Sequence, residues 1–183
     1  DSTGMHNRLG GCSDAELLAM VADQHRDALT ELYRRHAGWL LARLRHRCAD
    51  DGLIAEALQD TFVAVWRGAH SYQGTGAAAG WMWSIAIRRL IGILRKRRPE
   101  PVPANPNAVD VLADVEDLVL SGTEHGDLAG ALRSLSPELR AVVQATVLDG
   151  LTTREAGQLL GIPAGTVKTR MMRARVELRG ALA

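Results

Sequence analysis

Thr152-Thr153-Arg154-Glu155-Ala156-Gly157-Gln158-Leu159-Leu160-Gly161-Ile162-Pro163-Ala164-Gly165-Thr166-Val167-Lys168-Thr169-Arg170-Met171-Met172-Arg173-Ala174-Arg175 has the plainest local logic in the chain. Thr152 and Glu155 have capping-box spacing and open a short helix with Ala156, Leu159 and Leu160 inward. Gly161-Ile162-Pro163 reads as a turn. A final helix follows from about Ala164 to Leu182, with an inward stripe of Val167, Met171, Ala174 and Leu178. A short helix, a Gly-containing turn and a second helix form a helix-turn-helix, whose second helix lies in a DNA major groove. Gly165, Thr166, Lys168, Thr169, Met172 and Arg173 then face outward or lie on the flank. Lys and Arg bond guanine edges or phosphate oxygens, Thr does either more weakly, and Met172 can touch a thymine methyl. Gly165 near the helix start lets the backbone approach DNA closely. An ordinary helical hairpin with a solvated basic face is the plain alternative. Five basic residues against one acid between Ala164 and Arg179 favour nucleic acid.

Working upstream, Ser136-Pro137-Glu138 is an N-cap with Pro at the first helical position. Leu139, Val142, Val143 and Val147 give that helix one apolar face, ending near Gly150. Further back, four of the six prolines fall between Pro99 and Pro106, so no helix crosses that stretch. Pro99 to Leu132 holds seven acids and no Lys or Arg, whereas Arg88 to Arg98 holds six basic residues and no acid. So abrupt a break reads as a linker between two domains.

The N-terminal part reads as helices. Ser13-Asp14-Ala15-Glu16 has capping-box spacing ahead of Leu17, Leu18 and Val21. A longer helix is predicted from about His25 to Cys48, with Leu29, Leu32, Tyr33, Trp39, Leu40 and Leu44 supplying apolar contacts. A third covers about Leu53 to Arg67, where Ile54, Leu58, Thr61, Phe62 and Val65 recur at helical spacing. The glycines of Gly68 to Gly76 mark a loop. A fourth helix, about Ala78 to Arg97, begins apolar and ends in the basic run, complementing the negative end of its dipole. Trp81 and Trp83 beside Arg88 and Arg89 offer stacking faces and cations of the kind unpaired DNA needs, or else they are core.

The chain has 183 residues, 46% hydrophobic and 23% charged, with a formal net charge of +1. These values exclude collagen-like, mucin-like and wholly disordered chains, and seven aromatics favour helices over sheet. The near-neutral total conceals two basic segments offset by an acidic one. Cys12 and Cys48 form no CxxC pair and read as free thiols of a reducing compartment. His46 and Cys48 are too few for a zinc site, so no metal and no cofactor is expected. No apolar run approaches a membrane span, and the N-terminus lacks a basic region followed by an apolar one, which points to the cytoplasm and to no membrane insertion of its own. No P-loop, G-x-S-x-G or H-E-x-x-H motif is present, so an enzyme is not expected.

Three blocks carry a more specific resemblance. Ile54-Ala55-Glu56-Ala57-Leu58-Gln59-Asp60-Thr61-Phe62-Val63-Ala64-Val65-Trp66 resembles conserved region 2.2 of bacterial RNA polymerase sigma factors of the extracytoplasmic-function (ECF) group of the sigma-70 family. Gly80-Trp81-Met82-Trp83-Ser84-Ile85-Ala86 through Arg98 is similar to their region 2.3–2.4 helix, and Leu151 through Arg175 to their region 4.2. The blocks stand in the family's order and cover nearly all the chain from Ser13.

The resemblance implies an all-α protein of two small helical domains, 13–98 (region 2) and 124–183 (region 4), joined by an extended acidic, Pro-rich linker over 99–123. It implies that the first domain binds the clamp helices of the polymerase β′ subunit, with Glu56, Gln59 and Asp60 as the polar face that meets them, and Phe62 and Trp66 as core. The same domain would read and melt the −10 promoter element through Ser71, Tyr72, Gln73, Trp83, Arg88 and Arg95. The family usually has Asn where this chain has Arg88, and Asp where it has Gly92. The second domain would bind the β flap and read the −35 element through Gly165, Thr166, Lys168, Thr169, Met172 and Arg173, with Arg170 on a phosphate. An anti-sigma factor is an implied partner beside core polymerase and promoter DNA. The linker would run near the active-centre cleft, where its acids could mimic nucleic-acid charge. The rival reading is a free-standing helix-turn-helix regulator, which usually needs a dimer interface; no dimerisation segment is evident.

Overall fold

A computed structural model describes residues 9–74, 77–97 and 126–182, and every regular element among them is helical. Contacts divide the chain into two compact units, one over 1–45 and 50–93, the other over 46–49 and 94–183. The stretch expected as the linker, 99–123, lies outside the described residues, as do Thr75 and Gly76 of the expected loop.

In the first unit, α1 spans Asp14–Ala22, α2 Arg26–Arg47, α3 Asp51–Gly68 and α4 Ala78–Arg97, with a short 3-10 turn at Ala69–Ser71 after α3. The capping box at α1 forms as read: Glu16 N donates to Ser13 Oγ at 3.3 Å and Ser13 N donates to Glu16 Oε2 at 2.6 Å. Asp50, at the head of α3, accepts from Leu53 N at 3.1 Å and satisfies an otherwise orphan donor. The core joins Leu17, Leu18 and Val21 of α1 to Leu32, Leu40 and Leu44 of α2, Ile54 and Val65 of α3, and Met82, Ile87 and Leu90 of α4, each fully or almost fully buried. Tyr33 departs from the core assigned to it: it is 50% exposed and rests on Phe62, with ring centroids 4.8 Å apart. Phe62 is buried as expected, whereas Trp66 is half-buried.

A clasp ties the start of this unit to α2. The Arg35 guanidinium donates to the carbonyls of Leu9, Gly10 and Cys12, to Asp14 and to Glu31, while Arg34 also donates to Glu31. Hydrogen bonds from Arg34 first, then from Arg35, hold the Glu31 carboxyl at about 2, against an ordinary 4.5.

In the second unit, α5 spans Gly126–Ser134, α6 Pro137–Val143, α7 Thr153–Leu160 and α8 Ala164–Ala181. Helix α5 carries little signal in the sequence because Gly126 and Gly130 thin its apolar pattern; it buries Ala129, Ala131 and Leu132. The cap at α6 is as expected, with Leu139 N donating to Ser136 Oγ at 3.4 Å. Val147 does not join the α6 apolar face and is 61% exposed. The reason is local: residues Gln144–Leu148 form a π-turn, closed by Asp149 N donating to the Gln144 carbonyl at 2.9 Å. An i→i+5 turn delays the helical phase by one residue and rotates Val147 outward. Helices α5, α6 and α7 all pack on α8.

Candidate nucleic-acid interface

The turn between α7 and α8 is built to close tolerance. Thr152 and Glu155 form the reciprocal capping box, at 3.2 Å and 2.8 Å. At the other end of α7, Gly161 adopts φ +67°, the left-handed conformation that glycine enters without a Cβ penalty. A Cβ on Gly157 would lie 2.6 Å from the Ile162 carbonyl oxygen, so only glycine lets the turn fold back this tightly. The same turn is closed by Ile162 N donating to the Gly157 carbonyl at 3.0 Å. Pro163 then leads into α8 with extended backbone, giving the helix its start without a side-chain cap.

On α8 the inward stripe is Val167, Met171 and Ala174, all buried, while Leu178 is half-buried. Leu159 and Leu160 of α7, expected inward, are half-buried as well. Gly165, Lys168, Thr169, Met172 and Arg173 are exposed together on one side of α8, as the periodicity requires; Thr166 and Arg170 lie on its flank. Two of these side chains have internal engagements. Thr169 Oγ1 donates back to the Gly165 carbonyl at 3.1 Å, which leaves its oxygen to accept rather than donate. The Arg170 guanidinium meets Glu138 of α6 at 3.2 Å, with about a quarter of its side chain exposed (26%). Arg170 thus braces α8 against α6.

The second cluster lies at the head of α4. Ser71 closes the 3-10 turn by donating to the Gly68 carbonyl at 2.7 Å, and Gly74 takes φ +69° in the loop beyond. Tyr72 is half-buried against Trp81, ring centroids 5.5 Å apart, and Gln73 is exposed. Trp83, expected as a base-stacking face, is only 4% exposed. Its ring is covered: the Arg43 guanidinium sits 4.8 Å from its centroid and 4.9 Å from that of Trp39, while the two indoles meet edge to face at 6.3 Å. Trp83 therefore supports α4 from inside instead of offering itself to a base, and the partly open aromatic pair at this end is Tyr72 with Trp81. Arg88 and Arg95 are exposed along α4, Arg88 also donating to the Ser84 carbonyl at 3.2 Å.

A third feature falls outside the sequence expectations. An open groove of about 1150 Å³ runs between α2 and α3, walled by Tyr33, Leu41, Leu58, Phe62, Val63 and Trp66 among others. Val63 is 42% exposed on its rim. Of the three polar residues expected on this helix, Gln59 lines the groove, whereas the exposed Asp60 and half-buried Glu56 are not among its walls. The available signal is Gln59 and Val63, an i,i+4 pair that sets an apolar side chain on the polar face of α3. Among the described residues no group of three or more His, Cys, Asp or Glu side chains converges as a metal site, and no helix is long and apolar enough to cross a membrane.

Comparison with known proteins places these surfaces in context. Residues 32–100 match the family described as Sigma-70 region 2, and residues 125–178 match Sigma-70, region 4. The chain is 34% identical over 180 residues to the ECF RNA polymerase sigma factor SigM of Mycobacterium tuberculosis, covering 96% of this chain and 85% of that one. It is 32% identical over 169 residues to the ECF RNA polymerase sigma factor RpoE of Cereibacter sphaeroides, covering 89% of this chain and 91% of that one. Among solved structures, CnrH in complex with the cytosolic domain of CnrY is similar at 25% identity and a TM-score of 0.45, over 92% of this chain and 96% of that one.

Proposed function

The chain belongs to the ECF group of the sigma-70 family, and from that premise we propose how its surfaces divide the work of an alternative sigma factor in promoter-specific initiation. The observation that carries the reading is the exposed row Lys168, Thr169, Met172 and Arg173, set opposite the buried stripe of α8. In this reading 13–98 is the polymerase-binding and −10 domain, 124–183 the −35 domain, and 99–123 the linker between them.

Helix α8 enters the major groove at the −35 element. Lys168 and Arg173 bond base edges or phosphates, Met172 meets a thymine methyl, and Arg170 stays braced by Glu138 beside the backbone. The β flap meets the same domain. At the −10 element, Tyr72 and Trp81 with the Ser71–Gln73 loop receive unstacked bases, while Arg88 and Arg95 hold the phosphates. Extruding a base costs a few kcal/mol, which stacking and charge contacts offset. The groove between α2 and α3 seats the β′ clamp helices, with Gln59 on its wall and Asp60 and Glu56 beside it. An anti-sigma factor restrains the protein by competing for these same faces. No covalent step falls to this chain; the chemistry belongs to the polymerase.

Transcription with purified core polymerase tests the division. Lys168→Ala and Arg173→Ala are each expected to cost about 1–3 kcal/mol of −35-dependent promoter binding, with core binding intact. Loss of core binding with DNA selectivity retained would show that α8 has another role, and promoter binding without polymerase-dependent transcripts would favour a free-standing regulator.

A further inference from the structure

Two neighbouring methionines on α8 have opposite surroundings. Met171 is 9% exposed and Met172 is 68% exposed. The Met171 sulfur is turned inward, where Thr146 Oγ1 donates to it at 3.2 Å. Elsewhere among the described residues Met82 is fully buried and Met20 is half-buried. Met172 is therefore the described thioether most open to solvent, and it borders two shallow depressions of the surface, one shared with Lys168 and Arg175, the other with Arg173 and Arg179. An accessible thioether is oxidised by oxygen transfer. The sulfur lone pair attacks one oxygen of a peroxide, and the O–O bond breaks as the S–O bond forms. The hydroxide that leaves takes the proton from the sulfur-bound oxygen and departs as water. Sulfur gives up two electrons and the peroxide accepts them.

The position of the side chain gives the product its consequence. Sulfoxide formation turns an apolar side chain polar and chiral without changing its charge. Met172 stands in the exposed row with Lys168, Thr169 and Arg173, where an apolar contact with a thymine methyl distinguishes one base edge from another. A sulfoxide pressed against that methyl loses the water on its oxygen and gains no donor in exchange, which is the cost of burying any unpaired polar group. The Lys and Arg contacts to phosphate keep their charge. Attraction to DNA as such therefore persists, while the preference for the −35 sequence falls.

We propose that Met172 is a peroxide-reactive modification site, and that its conversion to the sulfoxide loosens selectivity at the −35 element. The proposal rests on the assignment of α8 to that element. The change is reversible: a methionine sulfoxide reductase removes the oxygen as water while two thiols become a disulfide, and the apolar side chain returns.

The test treats the full chain with hydrogen peroxide and then with dithiothreitol, which returns sulfenic acid or disulfide at Cys12 and Cys48 to thiols and leaves sulfoxide in place. Peptide mass spectrometry locates the added oxygen. The treated chain is combined with untreated core polymerase, and the holoenzyme is bound to two duplexes, one carrying the −35 element mapped from its transcription start sites and one with that element scrambled. Sulfoxide is expected at Met172 before Met20, Met82 or Met171. Preference for the matched duplex is expected to fall about fivefold or more, with the salt dependence of binding unchanged. Met172→Leu carries no thioether at this position; scored against its own untreated form, its preference should not respond to peroxide. Sulfoxide forming first at Met20, Met82 or Met171, full conversion of Met172 with the preference unchanged, or an equal loss in Met172→Leu each overturns the proposal. A matched-duplex preference that survives Lys168→Ala and Arg173→Ala in the untreated protein overturns the −35 assignment of α8, and the proposal falls with it.

Discussion

Gly157 shows how narrow a tolerance a single residue can set. The atom that a Cβ would meet, the Ile162 carbonyl oxygen at 2.6 Å, is backbone within the turn itself, and cannot swing aside as a side-chain tip would. Gly157→Ala is therefore expected to pry α7 from the turn at a cost of about 2 kcal/mol or more. Thermal unfolding followed by far-UV circular dichroism checks this, the melt of the first unit being read separately from its tryptophan fluorescence and expected to stay unchanged, with −35 binding falling in step. From sequence alone Gly157 is an unremarkable helix position next to Ala156. Its necessity comes from the return of the chain at Ile162, a contact that spacing along one helix cannot display. Gly161 was legible, because a glycine between an apolar helix and a Pro is itself a stop signal.

At the scale of elements, periodicity identified what lies between strong end signals. Helix α4 runs Ala78–Arg97 as read, because an Arg/Lys run before Pro99 marks its end and Ala78 opens its apolar face. The π-turn after α6 and the helix α5 were not legible, one because a phase shift leaves no compositional mark, the other because glycines dilute its pattern. Aromatic roles were harder still. Trp81 and Trp83 are two residues apart at the head of one helix, yet one is half-buried against Tyr72 and the other is sealed by Arg43 and Trp39. The Trp39/Arg43/Trp83 stack fixes the roll of α4 on α2, and hence where Arg88 and Arg95 point. Arg43→Ala is expected to destabilise the first unit by about 1–2 kcal/mol and to slow open-complex formation at promoters that depend on the −10 element. Arg43→Lys keeps a cation between the rings and should recover part of that rate. Permanganate footprinting of the melted region distinguishes this effect from lost −35 binding, which should not change.

For the whole molecule, the division into two units can be exploited in a single optical measurement. All four tryptophans, Trp39, Trp66, Trp81 and Trp83, lie in the first unit, so intrinsic fluorescence reports that unit while circular dichroism reports both. The Glu31 clasp lies in the first unit too, and its carboxyl is held at about 2, below the ordinary 4.5. A depressed carboxyl contributes stability that is fully present above its unfolded value and is lost as pH falls through its folded value. The Glu31 contribution is thus complete above roughly pH 4.5, declines between 4.5 and 2, and vanishes below. Other carboxylates titrate in the same window, so the informative quantity is the gap between the parent chain and Glu31→Gln. Hydrogen bonds to charged groups contribute about 1.5–3 kcal/mol, which corresponds to a gap on the order of 6–24 °C in a unit of this size. That gap should stand in the fluorescence-detected melt at pH 6 and close towards pH 2. A gap independent of pH would mean that the Glu31→Gln substitution costs packing and not charge. The carboxylate would then hold Arg35 in place without the ion pair setting the acid stability of the first unit.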